Sequence, residues 1–426
     1  MLIDWIHWLS SMPREKLLFC LLPLLLTDIP RYSLEALLTF LADFFSFHSR
    51  SHRSSAEPIP QARESVCIVI VGYNEAHTIE GALSTVWSNN SGLEIIVIDD
   101  GSTDGMFEVA NRFAATHPGV FVFRKPIRGG KSSALNYALA CTQAKIIVCI
   151  DADSQLDPTA ISELLRPFND PRVGAVAGNV RIRNPFDSVA SCLQAFEYLQ
   201  CIFLGRRLSS RLGVLCIVSG AFGAYRREAL HRTMGWDVGP GEDLDLTMKL
   251  RKSGYKAVFA PQAECLTRAA VSWKTLARQR RRWDWGTVTF CCRKHVDLGN
   301  PLRASFRFSD LACLADRWFF NIAMTYFLWG YAFWLCFNSS DITGYLLFLY
   351  YVIYVALSTF QLAVILYFSR DRLRDLWLGA VIPLSPFYYV FLRAIALWST
   401  TEELIFRSSF RDDFVPQHVR SSTWHW

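Results

Sequence analysis

The chain has 426 residues, of which 51% are apolar, 14% aromatic and 19% charged, with a net charge of +6. Soluble domains carry about 25% charged residues, so the composition excludes a disordered chain and argues against a purely soluble enzyme. A charge this mild does not call for nucleic acid as a partner. The length suggests roughly two to four modules. The apolar excess sits in the first fifty residues and from about 311 to 398, and the middle is globular in composition.

Residues 1–50 form the first module. Its run 17–47 is apolar but carries Asp28, Pro30, Arg31 and Glu35. A bilayer core needs about 20 apolar residues per helix, so this stretch is one long tilted span with polar defects or two short ones. A signal peptide is disfavoured, because the apolar stretch continues past Pro30 without a small-residue cleavage site. Residues 51–63 are a polar linker. His48 and His52 there are four apart, as metal ligands can be, but no acidic partner or apolar helix surrounds them, and they read as solvated.

From 64 to 270 the pattern changes. Short β-branched runs begin at 66, 94, 120 and 146, and helix-like stretches 76–87, 104–115 and 132–140 separate them. Buried strands alternating with helices predict βαβ units and a mostly parallel sheet, hence an α/β fold. Ligands of such sheets bind beyond the carboxyl ends of the strands. Polar motifs follow all four runs: Gly72-Tyr73-Asn74-Glu75, Asp99-Asp100-Gly101, Arg128-Gly129-Gly130-Lys131 and Asp151-Ala152-Asp153. Their common edge predicts one shared cleft.

Asp151 and Asp153 alternate about Ala152, so an extended backbone turns both carboxylates the same way. Two carboxylates suit a hard cation, Mg2+ or Mn2+, that completes its shell with substrate phosphates. An EF-hand is excluded, because Leu156 stands where that loop needs glycine. The Gly130-Lys131 turn opens a helix, and helix-start N–H groups favour phosphate. It is not a P-loop, since Lys125 replaces the required first glycine. Asp99 and Asp100 either contact a nucleobase or ribose or cap their own loop. Val218–Arg227 is small and apolar, then basic, and Gly220 there lets backbone approach a ligand. Glu242 and Asp243 open a further helix, as cap or as site residues.

Residues 271–310 read as amphipathic interface helices. In the run from Trp273 to Trp285, Gln279, Arg282 and Trp283 stand at i, i+3 and i+4, on one helix face. That face offers an amide, a guanidinium and an indole to a sugar or pyrophosphate. The other arginines suit anionic lipid. Residues 311–400 hold three candidate spans, 314–337, 342–368 and 376–398, the last interrupted by Pro383 and Pro386. A tail follows at 401–426. Arginines near 50–63 and at 370, 372 and 374 orient the central domain and that loop to the cytoplasm. The twelve cysteines contain no C-x-x-C pair and are expected to be reduced thiols.

These motifs in this order resemble the membrane-embedded family 2 glycosyltransferases with a GT-A (Rossmann-like) catalytic domain, such as cellulose, chitin, hyaluronan and poly-N-acetylglucosamine synthases. The resemblance rests on Tyr73-Asn74-Glu75, Asp99-Asp100-Gly101, Gly130-Lys131, Asp151-Ala152-Asp153, Glu242-Asp243 and Gln279-Arg280-Arg281-Arg282-Trp283. It implies uridine contacts at Tyr73, Glu75 and Asp100, a diphosphate contact at Lys131, a metal at Asp151 and Asp153, and a general base at Asp243. It assigns Gln279, Arg282 and Trp283 to the donor pyrophosphate and the acceptor end. It further implies an inverting, processive synthase that moves a sugar from UDP-GlcNAc or UDP-glucose to a β-linked glycan at a bacterial inner membrane. The partners are then a UDP-sugar, a glycan acceptor, the lipid bilayer and, because the spans are few, a partner subunit or a homo-oligomer. No nucleic acid and no cyclic-dinucleotide-binding domain are expected. The rival readings are a ceramide-type lipid glycosyltransferase and a non-catalytic receptor on a transferase scaffold.

Overall fold

The computed structural model describes residue 11 and residues 13–50, 66–338 and 340–423. The linker 51–63, with His52, lies outside the described residues.

Eight strands form one sheet: β1 (Val66–Gly72), β2 (Glu94–Asp99), β3 (Val120–Arg124), β4 (Ile146–Asp151), β5 (Gln155–Leu156), β6 (Val173–Ile182), β7 (Phe222–Arg226) and β8 (Lys256–Thr267). Their order is β3-β2-β1-β4-β7-β6-β8-β5. The pairs β1–β2, β1–β4, β2–β3 and β6–β8 are parallel. The pairs β4–β7, β6–β7 and β5–β8 are antiparallel. The first half is therefore the expected βαβ array, and the second half is mixed.

The unbroken apolar runs explain the buried position of β1 and β4, because a central strand in a helix-covered sheet has no wet face. β3 closes one edge and exposes Phe121. The helices Ile79–Asn90, Met106–Thr116 and Lys131–Cys141 follow β1, β2 and β3. In the first of them Ile79, Ala82, Leu83 and Val86 are buried at helical spacing, which fixes the face turned to the sheet.

Among the described residues three helical stretches are long and apolar enough to cross a membrane: Phe308–Asn338, Thr343–Phe368 and Arg372–Phe406. The third is broken by a tight turn, Gly379–Leu384, around Pro383. Its first turn docks on the catalytic domain. Arg181 pairs with buried Asp375, Ser369 Oγ donates to the same carboxylate at 2.6 Å, and Arg374 donates to the Ile182 carbonyl at 2.5 Å. At the N-terminus the helical path runs through Arg14–Pro23, a wider-turned π segment Leu24–Leu34 that contains Pro30, and Glu35–Arg50.

The helix Trp273–Thr287 joins the two parts, packing along the last membrane helix, Ser385–Phe406. Gly286 makes its other contact possible. A Cβ there would collide with the Pro240 carbonyl, so only glycine lets this helix lie against the turn that starts the helix Glu242–Lys252. One expectation fails. Cys216, ahead of β7, and Cys313, on the helix Phe308–Asp316, form a disulfide, while the other ten cysteines are free thiols. The two are 97 residues apart, and only the packing of the first membrane helix on the domain brings them together.

Candidate active site

The register of the sheet brings the motifs to one edge. Gly72 pairs with Asp99, and Val71 with Asp151, so the ends of β1, β2 and β4 are level. β7 runs antiparallel to β4, and its approach, Ser219 to Ala221, meets the same edge: the Asp151 N–H donates to the Ala221 carbonyl at 3.2 Å. The helix Glu242–Lys252 faces this point from the other half of the domain.

Four carboxylates and one ammonium meet there. Lys131 lies between Asp151, with which it makes a close ion pair, and Glu242, 3.7 Å from its Nζ. It also donates to the Gly220 carbonyl at 3.2 Å. The Gly220 N–H donates to Asp243 Oδ2 at 3.0 Å, and Asp243 Oδ1 accepts from its neighbour Leu244 N–H at 2.8 Å. A Cβ on Gly220 would sit 3.1 Å from Lys131 Nζ, so glycine keeps this convergence open. Asp153 accepts from Ser154 Oγ at 3.2 Å and from Thr267 Oγ1 at 3.3 Å.

The electrostatics follow from the count. Burial opposes the charge on Lys131, but Asp151 and Glu242 outweigh it and hold its pKa above the ordinary lysine value. Burial raises Asp151; Lys131 offsets part of this, and Asp153 adds to it. Glu242 is raised for the same first reason, with Lys131 opposing and Asp243 reinforcing. The cluster is short of positive charge. Among the described residues no group of three or more His, Cys, Asp and Glu side chains is placed to hold a metal ion by itself. The donor set is all oxygen, with an excess of negative charge, and that fits a hard divalent ion that draws its remaining ligands from a phosphorylated substrate.

The nucleotide-side motifs are present but largely engaged with one another. Asp99 is fully buried and accepts from Ser102 N–H at 2.9 Å, with Arg124 beside it at 3.3 Å. Asp100 accepts from Lys125 Nζ at 2.7 Å and from Gly129 and Gly130 N–H at 2.9 and 2.7 Å. It thereby shapes the glycine turn ahead of Lys131. Asn74 adopts a left-handed backbone, φ 58°. Its N–H donates to Ser102 Oγ and its Oδ1 accepts from Thr103 N–H, both at 2.9 Å, which ties the β1 and β2 loops together. Glu75 Oε2 accepts from Thr78 Oγ1 at 2.6 Å. Tyr73 is partly exposed, and the Arg128 guanidinium lies over its ring at 3.9 Å.

Gln279, Arg282 and Trp283 all lie on the helix Trp273–Thr287, each in a different environment. Trp283 is 43% exposed and stacks against Arg280 at 4.3 Å. Gln279 Oε1 is buried without a hydrogen-bond partner among the described residues. Arg282 Nε donates to Asp412 Oδ2 at 2.9 Å, and its guanidinium covers the Phe414 ring at 4.0 Å. Two other arginines of this run are pinned by carboxylates: Arg280 bidentate to Glu197 at 2.8 and 2.7 Å, Arg281 bidentate to Glu402 at 2.8 and 2.5 Å.

The C-terminal segment around Asp412 was not foreseen as part of the site. Besides holding Arg282 it accepts from Arg128, whose Nη2 donates to the Phe414 carbonyl at 2.8 Å. Pro416 lies over the glycine turn, its Cδ 3.8 Å from where a Gly130 Cβ would be. Glu197, Arg128, Asp412 and Phe414 carry no motif of their own. Only the acidic pair Asp412-Asp413, in a tail rich in arginine, could have hinted at a partner for the basic helix.

Comparison with known proteins agrees with this geometry. Residues 62–286 match the family model described as glycosyltransferase like family 2. The chain is similar to poly-β-1,6-N-acetyl-D-glucosamine synthases of Staphylococcus epidermidis, 32% identical over 229 residues, covering 53% of this chain and 55% of the relative. For the Staphylococcus aureus enzyme the values are 32% over 226 residues, 52% and 54%. The chain thus spans about half the length of the relatives it matches. The solved mannosyltransferase of Pyrobaculum calidifontis, in complex with GDP-Man and Mn2+, shares the fold with a TM-score of 0.55 at 22% identity, over 87% of this chain and 98% of that one. Sheet, cleft and family model converge: the chain belongs to glycosyltransferase family 2, with a GT-A catalytic domain followed by three apolar helices that fit a membrane.

Proposed function

We propose that the protein is an inverting polysaccharide synthase that transfers a sugar from a UDP-sugar to a growing β-linked glycan at a bacterial plasma membrane. The observation that carries this reading is the convergence of Lys131, Asp151, Glu242 and Asp243 around Gly220, under a Gln279–Trp283 helix that is packed on a membrane helix. The relatives named as poly-β-1,6-N-acetyl-D-glucosamine synthases favour UDP-GlcNAc as donor. The docking of Arg374 and Asp375 on the catalytic domain supports one common side for that loop and the domain, the cytoplasmic side by the arginine rule.

The chemistry is a single displacement. Asp243 accepts the proton of the acceptor hydroxyl while that oxygen forms its bond to the sugar C1. The bond from C1 to the UDP oxygen breaks, and the electron pair leaves with UDP. Lys131 and Arg282 hold the diphosphate and stabilise the charge that develops on it. Asp151 and Asp153 are the residues that would hold Mg2+ or Mn2+, which supplies further charge neutralisation at the leaving group when bound. Attack from the face opposite the leaving group turns an α-linked donor into a β-linkage. The ring of Trp283 serves as the apolar platform for the acceptor sugar.

The test is turnover by the purified full chain in detergent, with Mg2+ or Mn2+ and radiolabelled UDP-GlcNAc or UDP-glucose. Product that stays at the origin on chromatography is expected, and Asp243→Asn should stop turnover while UDP still binds. Products of a single added sugar with every donor would overturn processivity. Turnover unchanged in Asp243→Asn would overturn the assignment of the base.

A further inference from the structure

The helix Glu242–Lys252, which carries the candidate base, begins with little local support. Its N-cap is Gly241, in a left-handed backbone (φ 97°), and no side chain caps the first turn. That turn holds three acids, Glu242, Asp243 and Asp245. Acids there suit the helix dipole but repel one another. Asp243 can meet an acceptor hydroxyl only if the rotation of this helix about its axis is set.

Asp245 is where the rest of the protein takes hold of that rotation. It stands two residues beyond Asp243, about 200° further round the helix, and is fully buried. Its Oδ2 accepts from Lys294 Nζ at 2.8 Å, and its Oδ1 lies 2.6 Å from His295 Nε2. An ionised carboxylate only accepts, so Nε2 carries the hydrogen. His295 Nδ1 is then the acceptor left over, and it is buried without a hydrogen-bond partner among the described residues.

Lys294 also donates to Asp237 Oδ2 at 2.6 Å, in the loop that leads to Gly241. One ammonium therefore ties the first turn of the helix to the loop before it. The helix that starts at Lys131 clips the same loop from the other side. Ser132 Oγ donates to the Asp237 carbonyl and Asn136 Nδ2 to the Trp236 carbonyl, both at 2.8 Å. Asp243 and Lys131 are thus indexed to one loop. Lys294 itself ends the π-turned stretch Val288–Lys294, which continues the basic helix Trp273–Thr287. Along that stretch the Phe290 ring packs against Gly239, where a Cβ would meet it at 2.7 Å.

We infer that Lys294, supported by His295, is a positioning residue of the transfer step: through Asp245 it sets the rotation of the helix Glu242–Lys252 and aims the Asp243 carboxylate at the acceptor hydroxyl. This rests on the transferase reading above and adds a residue to it. The side chains of Lys294 and Asp245 are only 6% and 1% exposed. Burying two charges is costly, and apolar groups of the same size can hold a helix as firmly. What the ion pair adds is direction, since it fixes one rotation where an apolar contact tolerates several.

The test is steady-state turnover by the full chain in detergent, read as UDP release from the UDP-sugar that the parent uses, at a temperature well below the Tm of every variant. Lys294→Met should lower kcat roughly tenfold to a hundredfold, the scale for a misplaced reacting group. The KM for the UDP-sugar should stay within about twofold, because Lys131, Asp151 and Asp153 are untouched. Lys294→Arg, which keeps the charge, should recover part of the loss. Asp245→Asn keeps the shape without the charge and should lower kcat alike; it carries the same test if Lys294→Met does not fold. Arg251→Met is the control for stability. Arg251 lies about 12 Å further along the same helix, and its Nε donates to buried Asp310 Oδ1 at 2.9 Å. Its loss should lower Tm at least as much as Lys294→Met does and leave kcat within about twofold. Unchanged kcat in Lys294→Met and Asp245→Asn, a loss confined to KM, or an equal loss of kcat in Arg251→Met would overturn the inference. The parent separates the two levels. If it turns over UDP-sugar and the variants match it, only this inference fails; if it releases no UDP from any UDP-sugar, the transferase reading fails and takes this inference with it.

Discussion

Arg282 Nε donates to Asp412 Oδ2 at 2.9 Å, joining the basic helix to a segment 130 residues further along the chain. The carboxylate occupies the guanidinium that the transferase reading assigns to the donor pyrophosphate. Asp412 is buried, so the pair is well shielded from water. Asp412→Asn removes the competing anion and is expected to tighten UDP binding several-fold, while Arg282→Ala weakens it. Titration of UDP against both variants checks this. Weaker binding in Asp412→Asn would mean that Asp412 orients Arg282 and does not compete for it.

Lys131 pairs with both Asp151 and Glu242. Lys131→Met should lower kcat by about 10²-fold, the scale for loss of one group that stabilises developing charge. The same change leaves Asp151 unpaired in a cluster already short of positive charge. Mn2+ affinity, followed by titration in the absence of nucleotide, should therefore rise. A variant that loses both turnover and Mn2+ binding would show that Lys131 holds the site together instead of balancing it.

Asp284 reports on the joint between the basic helix and the last membrane helix. Burial pushes its carboxyl up to about 6, with the Ser399 hydroxyl and Arg280 opposing. The folded state thus holds this proton more tightly than the unfolded chain. The resulting stability is fully present below about pH 4 and is lost as pH rises through about 6. Comparison with Asp284→Asn isolates it. The Tm of the parent minus that of the variant should fall between pH 4.5 and pH 7.5. A difference independent of pH would place the ionised carboxylate in a better-solvated site.

Glu197 meets Arg280 through two short hydrogen bonds and accepts a third from Tyr388 Oη at 2.6 Å. Glu197→Ala leaves a largely buried guanidinium unpaired and is expected to cost about 3–5 kcal/mol of stability. The drop in Tm should exceed that of Glu197→Gln, which keeps the shape and one hydrogen bond. Equal, small effects would mean that water reaches Arg280 and takes over.

The half of the site built from strand ends was legible because strand, turn and ligand are local in sequence. The runs at 66, 94, 120 and 146 are apolar apart from Glu94, and a polar motif follows each of them, acidic after three and basic after the third. Lys131, Asp151 and Asp153 could be placed from that pattern alone. β7 was harder to read, since Val218 to Ala224 is too rich in glycine and alanine for a strand signal, and its antiparallel entry between β4 and β6 has no local sign. Contacts made across the fold were invisible. The disulfide of Cys216 and Cys313, the clasp of Asp412 on Arg282 and the partner of Arg280 all join distant segments, and no spacing rule links them. Nothing local marks Gly286 either, since the contact that requires glycine there is with the distant Pro240 carbonyl.

The stacking of Arg128 on Tyr73 has a mechanical corollary. A base that settled on that ring face would push the guanidinium aside, and the same guanidinium grips the Phe414 carbonyl. On the transferase reading, seating of the nucleotide and release of the segment around Phe414 are then two readings of one lever, whose far end is anchored beyond the third apolar helix.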